Sequence, residues 1–446
     1  MSSAVFTETL TPEETGPPPR PADPRVWCLV IPAVFAAIAS IRIGLPTAPY
    51  FDEVHYLPAA REFLSLGMPF GGRYLNPEHP LLGKQLLALG MYLFGDNPLG
   101  WRIMPLIFGT ITVGAAMRAL WQASHDRFAV IAFGILLSTG FHLFIHARIA
   151  MLDIFMAAFL ALAAWQFAAA CREPETGRWR LMATGIAIGC ALASKWNAVP
   201  LAMVPGLTFF AARLSAGRRR LVTSTRGIPV PGISLAEAFV WLGLVPLVVY
   251  AASFAPGYWM TENGGPSQLS TGGLVAFHQE ILALQQQVIT PHTYQSTWDQ
   301  WVLNTRGIWY LYEFTDNAQR GVLLIGNPLT MLLGLPALVW CLGTGIVRGD
   351  WARLGAVVGF AVSLGLWLIA PKPIQFYYHY VMPSCFMLAA LALCLSELRS
   401  NGWHRWSYGV LAASTALFAV FYKVLSASAL DGPMSFADWA WLKGWV

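Results

Sequence analysis

The stretch Pro49-Tyr50-Phe51-Asp52-Glu53-Val54-His55-Tyr56 places two adjacent carboxylates among aromatic side chains, just after an apolar run. A carboxylate at the edge of a low-dielectric region either finds a cation or holds a raised pKa and serves as a base. A solvated pair that ends a helix is the plainer alternative. Cations recur beside other apolar runs: His79 and Lys84 in Asn76-Pro77-Glu78-His79-Pro80-Leu81-Leu82-Gly83-Lys84, then Arg102, Arg148, Lys195 and Arg306. Singly, Arg102, Arg148, Lys195 and Arg306 each read as an interfacial cation whose charged head snorkels to water. Taken with the acidic pair, they suggest a pocket for a lipid phosphate held by charge-assisted hydrogen bonds. Asp153 follows Arg148 in the same short turn, and His292 and His379 stand in aromatic-rich stretches near 291–301 and 376–380.

The elements that must position these groups are membrane spans. Of 446 residues, 56% are hydrophobic and 11% charged, against about 25% charged in an average soluble domain. Mean hydropathy is +0.53. This composition excludes a soluble enzyme, a disordered chain and a nucleic-acid binder, and implies an all-α polytopic membrane protein. A net charge of +5 bears on topology more than on an acidic partner. The six cysteines lie in or beside apolar runs without metal-ligand spacing and read as packing residues.

Eleven apolar runs long enough to span begin near Val26, Trp101, Phe128, Ile149, Leu181, Ala198, Ile233, Val322, Ala352, Tyr378 and Ser407. Segment 81–96 is shorter, contains Lys84 and ends at Gly95-Asp96-Asn97-Pro98. Arginine-rich loops near 118–127, 172–180, 213–226, 348–353 and 399–405 then share one face, which the positive-inside rule makes cytoplasmic. Arg20 and Arg25 before the first span tie with Arg61 and Arg73 after it, so charge alone leaves the N-terminus open. The shortness and the lysine of 81–96 favour an interfacial placement. Residues 1–25 are then a cytoplasmic polar arm without signal-peptide features, and 26–446 form one membrane domain. Its long extracytoplasmic segments are 47–100 and about 257–320. The apolar spacing after Leu57 fits a helix on the membrane surface. The chain shows no fixed-period repeat of the kind inverted-repeat transporters carry.

Phe51-Asp52-Glu53-Val54-His55, His79-Pro80-Leu81-Leu82-Gly83-Lys84, Arg148-Ile149-Ala150-Met151-Leu152-Asp153, Ser194-Lys195-Trp196 and Phe376-Tyr377-Tyr378-His379-Tyr380 stand in a definite order. That order resembles the protein O-mannosyltransferases, dolichyl- or polyprenyl-phosphate-mannose-dependent enzymes of the GT-C class. The segment from His292 to Tyr310 is similar to that family's aromatic loop, and the likeness covers about residues 45–400. Leu81, Ala147, Val302 and Gly307 depart from the family pattern, and 257–320 has no room for the large soluble insertion of the eukaryotic enzymes.

The resemblance implies a GT-C fold of about eleven spans with a cytoplasmic N-terminus, interfacial helices in the extracytoplasmic loops, and a bacterial inner-membrane location. It implies inverting transfer of mannose from polyprenyl-phosphate-mannose to Ser/Thr hydroxyls of secreted or membrane proteins. Asp52 is then the base and Glu53 its assistant. Arg102, Arg148, Lys195, Arg306, His79 and Lys84 hold the donor phosphate, and Asp153, His292, Tyr310 and His379 are accessory. Neither a cofactor nor a metal is expected. Two rival readings are a GT-C transferase with a lipid or glycan acceptor, like the aminoarabinose transferases of lipid A, and a flippase for a lipid-linked sugar.

Overall fold

The structure is a computed structural model that describes residues 22–67, 72–216, 220–262, 264–286, 290–370, 372 and 374–446. Residues 1–21 of the polar arm, with Arg20, and the loop arginines Arg218 and Arg219 lie outside the described residues.

Each of the eleven expected runs contains a helix. Among the described residues, eight helical stretches are long and apolar enough to cross a membrane: α4 (Pro98–Ser124), α7 (Asp153–Arg172), the stretch ending in α9 (Val199–Ser215), the one holding α10 (Leu235–Phe239) and α11 (Val245–Ala252), and then α14 (Pro328–Arg348), α15 (Trp351–Ile369), α16 (Val381–Ser400) and α17 (His404–Leu425). Shorter helices α1 (Trp27–Ser40), α5 (Arg127–Thr139) and α8 (Gly177–Ser194) fill the other three runs. After α5 the chain breaks at Phe141, φ 72°, and resumes as α6 (His142–His146). The protein is a multi-pass membrane protein. Segment 81–96 forms α3 (Leu82–Phe94), whose 13 residues rise about 20 Å, less than a hydrocarbon thickness of about 30 Å.

The centre of the bundle is α4 against α7 and α7 against α8. Close approach there needs small residues. A Cβ on Gly185 of α8 would sit 1.9 Å from the Trp241 carbonyl oxygen, where a π-helical turn over Val240–Leu244 bulges toward it.

The two long loops fold onto one end of this bundle. In the first, α2 (Glu53–Leu64) realises the expected helix. The second opens with a two-residue pair, β1 (Thr261–Glu262) and β2 (Gly265–Pro266), then α12 (Gln268–Gln286), bent at Gly273, φ 71°. Helix α12 docks beside Lys195 through a relay: Trp196 Nε1 donates to Tyr250 Oη at 2.8 Å, which lies 2.6 Å from His278 Nε2. Gln285 of α12 donates to the Glu78 carbonyl at 2.8 Å, so one helix braces both the His79 loop and the Lys195 turn.

The run expected to begin a span near Val322 starts later. Short α13 (Trp298–Val302) leads into a hairpin, β3 (Ile308–Thr315) and β4 (Ala318–Leu324), extended by β5 (Ala429–Leu430) in the order β3-β4-β5. The apolar residues before Gly326 bury themselves as a strand, and α14 begins only where Asn327 caps Leu329 N–H at 3.2 Å ahead of Pro328. Residues after β5 return to this hairpin. Trp445 is fully buried; its Nε1 donates to the Asn304 carbonyl at 2.7 Å and its carbonyl accepts from Trp309 Nε1 at 2.8 Å.

Candidate active site

Phe51 adopts a left-handed backbone, φ 50°, and α2 starts two residues later. Successive side chains at a helix start diverge by about 100°, so the neighbouring carboxylates face different surroundings. Glu53 points into the protein and is fully buried. It takes a bidentate bond from Arg102, Nε to Oε1 and Nη2 to Oε2, both 2.8 Å, with Ala150 N–H at 3.0 Å and Tyr50 N–H at 3.2 Å as further donors. The remaining Arg102 N–H groups donate to the carbonyls of Ile43 (3.2 Å), Pro46 (2.7 Å) and Ala48 (3.3 Å). A guanidinium has five N–H donors. All are used, which leaves none for the phosphate that Arg102 is expected to hold.

Arg148 is likewise committed. It donates to the carbonyls of Ala39 in the last turn of α1, of Ile41 (2.9 Å) just after it, and of Ser426 (3.1 Å) after α17, orphan acceptors of two helix C-termini. Lys84, fully buried, donates to the carbonyls of Asn76 and His79, the latter at 3.0 Å. It shapes the loop that carries His79. Arg306 donates to the Thr293 carbonyl at 2.6 Å. His292 packs edge-on against Phe376 at 5.3 Å. These two sit on the aromatic loop.

Asp52 is half-buried, and its carboxylate has no hydrogen bond to a described residue. Burial pushes its pKa above the ordinary carboxylate value; Lys195, His55 and Lys372 oppose this, while the charge of Asp153 adds to it. Asp153, at the start of α7, is fully buried; its Oδ2 accepts from Lys195 Nζ at 2.7 Å and its Oδ1 has no partner. Lys195 interrupts α8 in extended backbone, φ −159° and ψ 136°, with its ammonium 5.0 Å over the Tyr378 ring, a cation–π contact. Lys372, on the link between α15 and α16, brings a second ammonium. Burial pushes its pKa down to about 8, the charge of Lys195 acting the same way, and Asp52 and Asp153 oppose.

Aromatic and imidazole rings wall this quartet. Tyr310 of β3 stacks on Phe51 at 4.0 Å and 25°, with its hydroxyl 3.4 Å from His146 Nε2. His146 Nδ1 lies 2.7 Å from the His142 carbonyl; as an N–H donor there, it leaves Nε2 to accept from Tyr310. His79 packs edge-on to Tyr56 at 5.8 Å. Burial first, then the neighbouring lysines, depress its pKa well below the usual imidazole value, so it is neutral at pH 7. His379 is buried and stacks on Trp367 at 3.6 Å and 11°, with neither ring nitrogen bonded.

The structure therefore brings Asp52, Asp153, Lys195, His79, Tyr310 and His379 together. It sends Glu53 and Arg102 inward as a pair and sets Arg148, Lys84, Arg306 and His292 on backbone or loop contacts. Sequence reasoning passed over Lys372, His146, Tyr56 and Tyr378. Lys372 carried one signal, a lone cation between two prolines just before the 376–380 aromatics.

An unbonded, half-buried carboxylate facing ammonium groups can take a proton from a hydroxyl while the cations receive charge on a leaving oxygen. That chemistry, at one end of a polytopic helical bundle, is what a GT-C glycosyltransferase requires. A family model described as dolichyl-phosphate-mannose-protein mannosyltransferase matches residues 27–261. The chain belongs to that family. It is 28% identical to a polyprenol-phosphate-mannose–protein mannosyltransferase of Corynebacterium glutamicum over 89% of this chain and 87% of that protein. It is 26% identical to one of Mycobacterium tuberculosis over 89% and 86%. In fold it is similar to the Saccharomyces cerevisiae protein O-mannosyltransferase Pmt1–Pmt2 complex bound to the sugar donor. There the TM-score is 0.79 at 14% identity, over 95% of this chain and 92% of that chain. Its likeness to apo ArnT from Cupriavidus metallidurans has a TM-score of 0.57 at 17% identity, over 87% and 63%.

Proposed function

We propose that the protein transfers mannose, with inversion, from polyprenyl-phosphate-mannose to Ser or Thr hydroxyls of secreted or membrane proteins, on the extracytoplasmic face of a bacterial cell membrane. The observation that carries this reading is the free carboxylate of Asp52, beside Lys195 and Lys372 and bonded to no described residue. The acceptor hydroxyl oxygen attacks the anomeric carbon and its proton passes to Asp52, help typically worth ~10²–10⁴-fold. The bond from that carbon to the phosphate oxygen breaks, with its electron pair going to the phosphate. The leaving group is a stable anion, so no acid is required. Lys195, fixed by Asp153 and Tyr378, and Lys372 are the ammonium groups beside Asp52 that face this charge.

Glu53 and Arg102 act one step back. Their buried pair ties the 43–48 loop, Ala150 and the start of α2 together and so aims Asp52. The chemistry runs without a metal. The ammonium groups of Lys195 and Lys372 bring to Asp52 and Asp153 the positive charge that a divalent ion would otherwise supply. The positively charged loops support the assignment of sidedness. In-vitro transfer from polyprenyl-phosphate-mannose to a Ser/Thr-rich peptide tests the function. Asp52→Asn should fold, bind donor and abolish transfer; near-wild-type turnover would mean that Asp52 is not the base.

A further inference from the structure

We infer that Lys372 is a catalytic residue of this site, the cation that takes up the charge appearing on the leaving polyprenyl phosphate. The inference rests on the mannosyl-transfer reading and deepens it. When the bond to the anomeric carbon breaks, the electron pair stays on the phosphate oxygen, and a diester monoanion becomes a monoester that carries one more negative charge. That extra charge needs a cation not already neutralised.

The other cations near this end of the bundle are spoken for. Arg102 is paired with Glu53 and saturated by carbonyls, Arg148 and Lys84 are bound to carbonyl groups, and Lys195 is held by Asp153 at 2.7 Å. Lys372 makes no hydrogen bond or ion pair through its ammonium among the described residues. It is half-buried, and its charge is felt by Asp52, Asp153, Lys195, His79 and His379. With His55 beside Asp52, these are the titratable groups that surround it. Gln375, three residues further on, is anchored. Gln375 Nε2 donates to the Trp367 carbonyl at 3.2 Å, and the Gln375 carbonyl accepts from Ser296 N–H at 2.9 Å. Lys372 thus joins the site from a stretch of chain later than Asp52, Asp153 and Lys195, and it is the one ammonium of the quartet that no carboxylate among the described residues holds.

The test uses the full chain in detergent, with polyprenyl-phosphate-mannose, a Ser/Thr-rich peptide and free polyprenyl phosphate as probes. Lys372→Gln should lower kcat by about 10²–10³-fold, as loss of one donor to a developing oxyanion does, with the acceptor KM unchanged. It should also weaken polyprenyl phosphate binding by about tenfold or more. Lys372→Arg should restore most turnover and move the alkaline limb of the kcat/KM profile, expected near pH 8 from Lys372 in the free protein, upward. Lys372→Met, which keeps the apolar stem, repeats the measurement if the glutamine variant fails to fold. Turnover and phosphate binding within about threefold of wild type in the neutral variants would overturn the assignment. A wild-type chain that transfers no mannose would instead refute the donor reading, and the phosphate-binding comparison would still decide the role of Lys372.

Discussion

Replacing Arg102 by methionine removes a fully buried cation, and the structure sets how much that should cost. Two of its five N–H groups are on Glu53 at 2.8 Å and the others on the carbonyls of Ile43, Pro46 and Ala48. Breaking a buried ion pair by deleting one partner costs about 3–5 kcal/mol, because the other charge is left stranded. Each carbonyl bond adds about 1 kcal/mol where water cannot replace it. Arg102→Met should therefore destabilise by more than about 5 kcal/mol and disorder the 43–53 loop, with loss of transfer as the result. The double variant Arg102→Met/Glu53→Gln strands no charge. It should regain at least about 2 kcal/mol relative to the sum of the single changes, the coupling expected of residues in direct contact. Thermal unfolding in detergent, run with polyprenyl phosphate binding, measures both. An Arg102→Met protein as stable as wild type but unable to bind polyprenyl phosphate would refute the reasoning and make Arg102 a phosphate ligand. Strict additivity in the cycle would refute the pairing.

Other expectations are simpler to read. Because burial and Asp153 raise the pKa of Asp52 and the base works deprotonated, kcat/KM should fall with decreasing pH through a value above the usual carboxylate pKa of about 4; an acid limb at or below that value would contradict it. Gly185→Ala, whose Cβ meets the Trp241 carbonyl, should force α8 off the Val240–Leu244 turn and cost about 1–3 kcal/mol, seen as a lower Tm. Trp445→Ala should cost about 3–5 kcal/mol and raise protease sensitivity in the β3–β4 hairpin; an unchanged cleavage pattern would argue against that anchoring. Activity should be indifferent to EDTA, and loss restored by Mg²⁺ or Mn²⁺ would install a metal.

The helices were legible because apolar runs at the right length leave a bundle few alternatives. Asp52, Lys195 and Asp153 were legible because charge at the edge of such a run is expensive and therefore informative. Direction was not. Nothing in Asp52-Glu53 says which carboxylate faces the protein, since that depends on the left-handed turn at Phe51 and on an arginine 49 residues away. The arginines looked like phosphate ligands because an Arg beside a span has the same spacing whether it meets a lipid or the end of another helix. The β3–β4 hairpin hid inside apolar, aromatic sequence that serves a span and a buried strand equally well, and Lys372 had no acidic neighbour in sequence to mark it.

The tail that returns to the hairpin has a consequence for how the enzyme comes into being. Trp309 and Trp445 are 136 residues apart, so four long helices are synthesised between the hairpin and the side chain that pins it. Tyr310, which backs Phe51 next to Asp52, therefore waits for residues 429–446 before its hairpin gains β5 beside β4 and the Trp445 carbonyl bonded to Trp309. A ribosome-bound chain with every helix already inserted still lacks a finished catalytic wall. The transferase is a late event in its own biosynthesis, and a nascent chain stalled short of Trp445 should sit in the membrane fully threaded and silent.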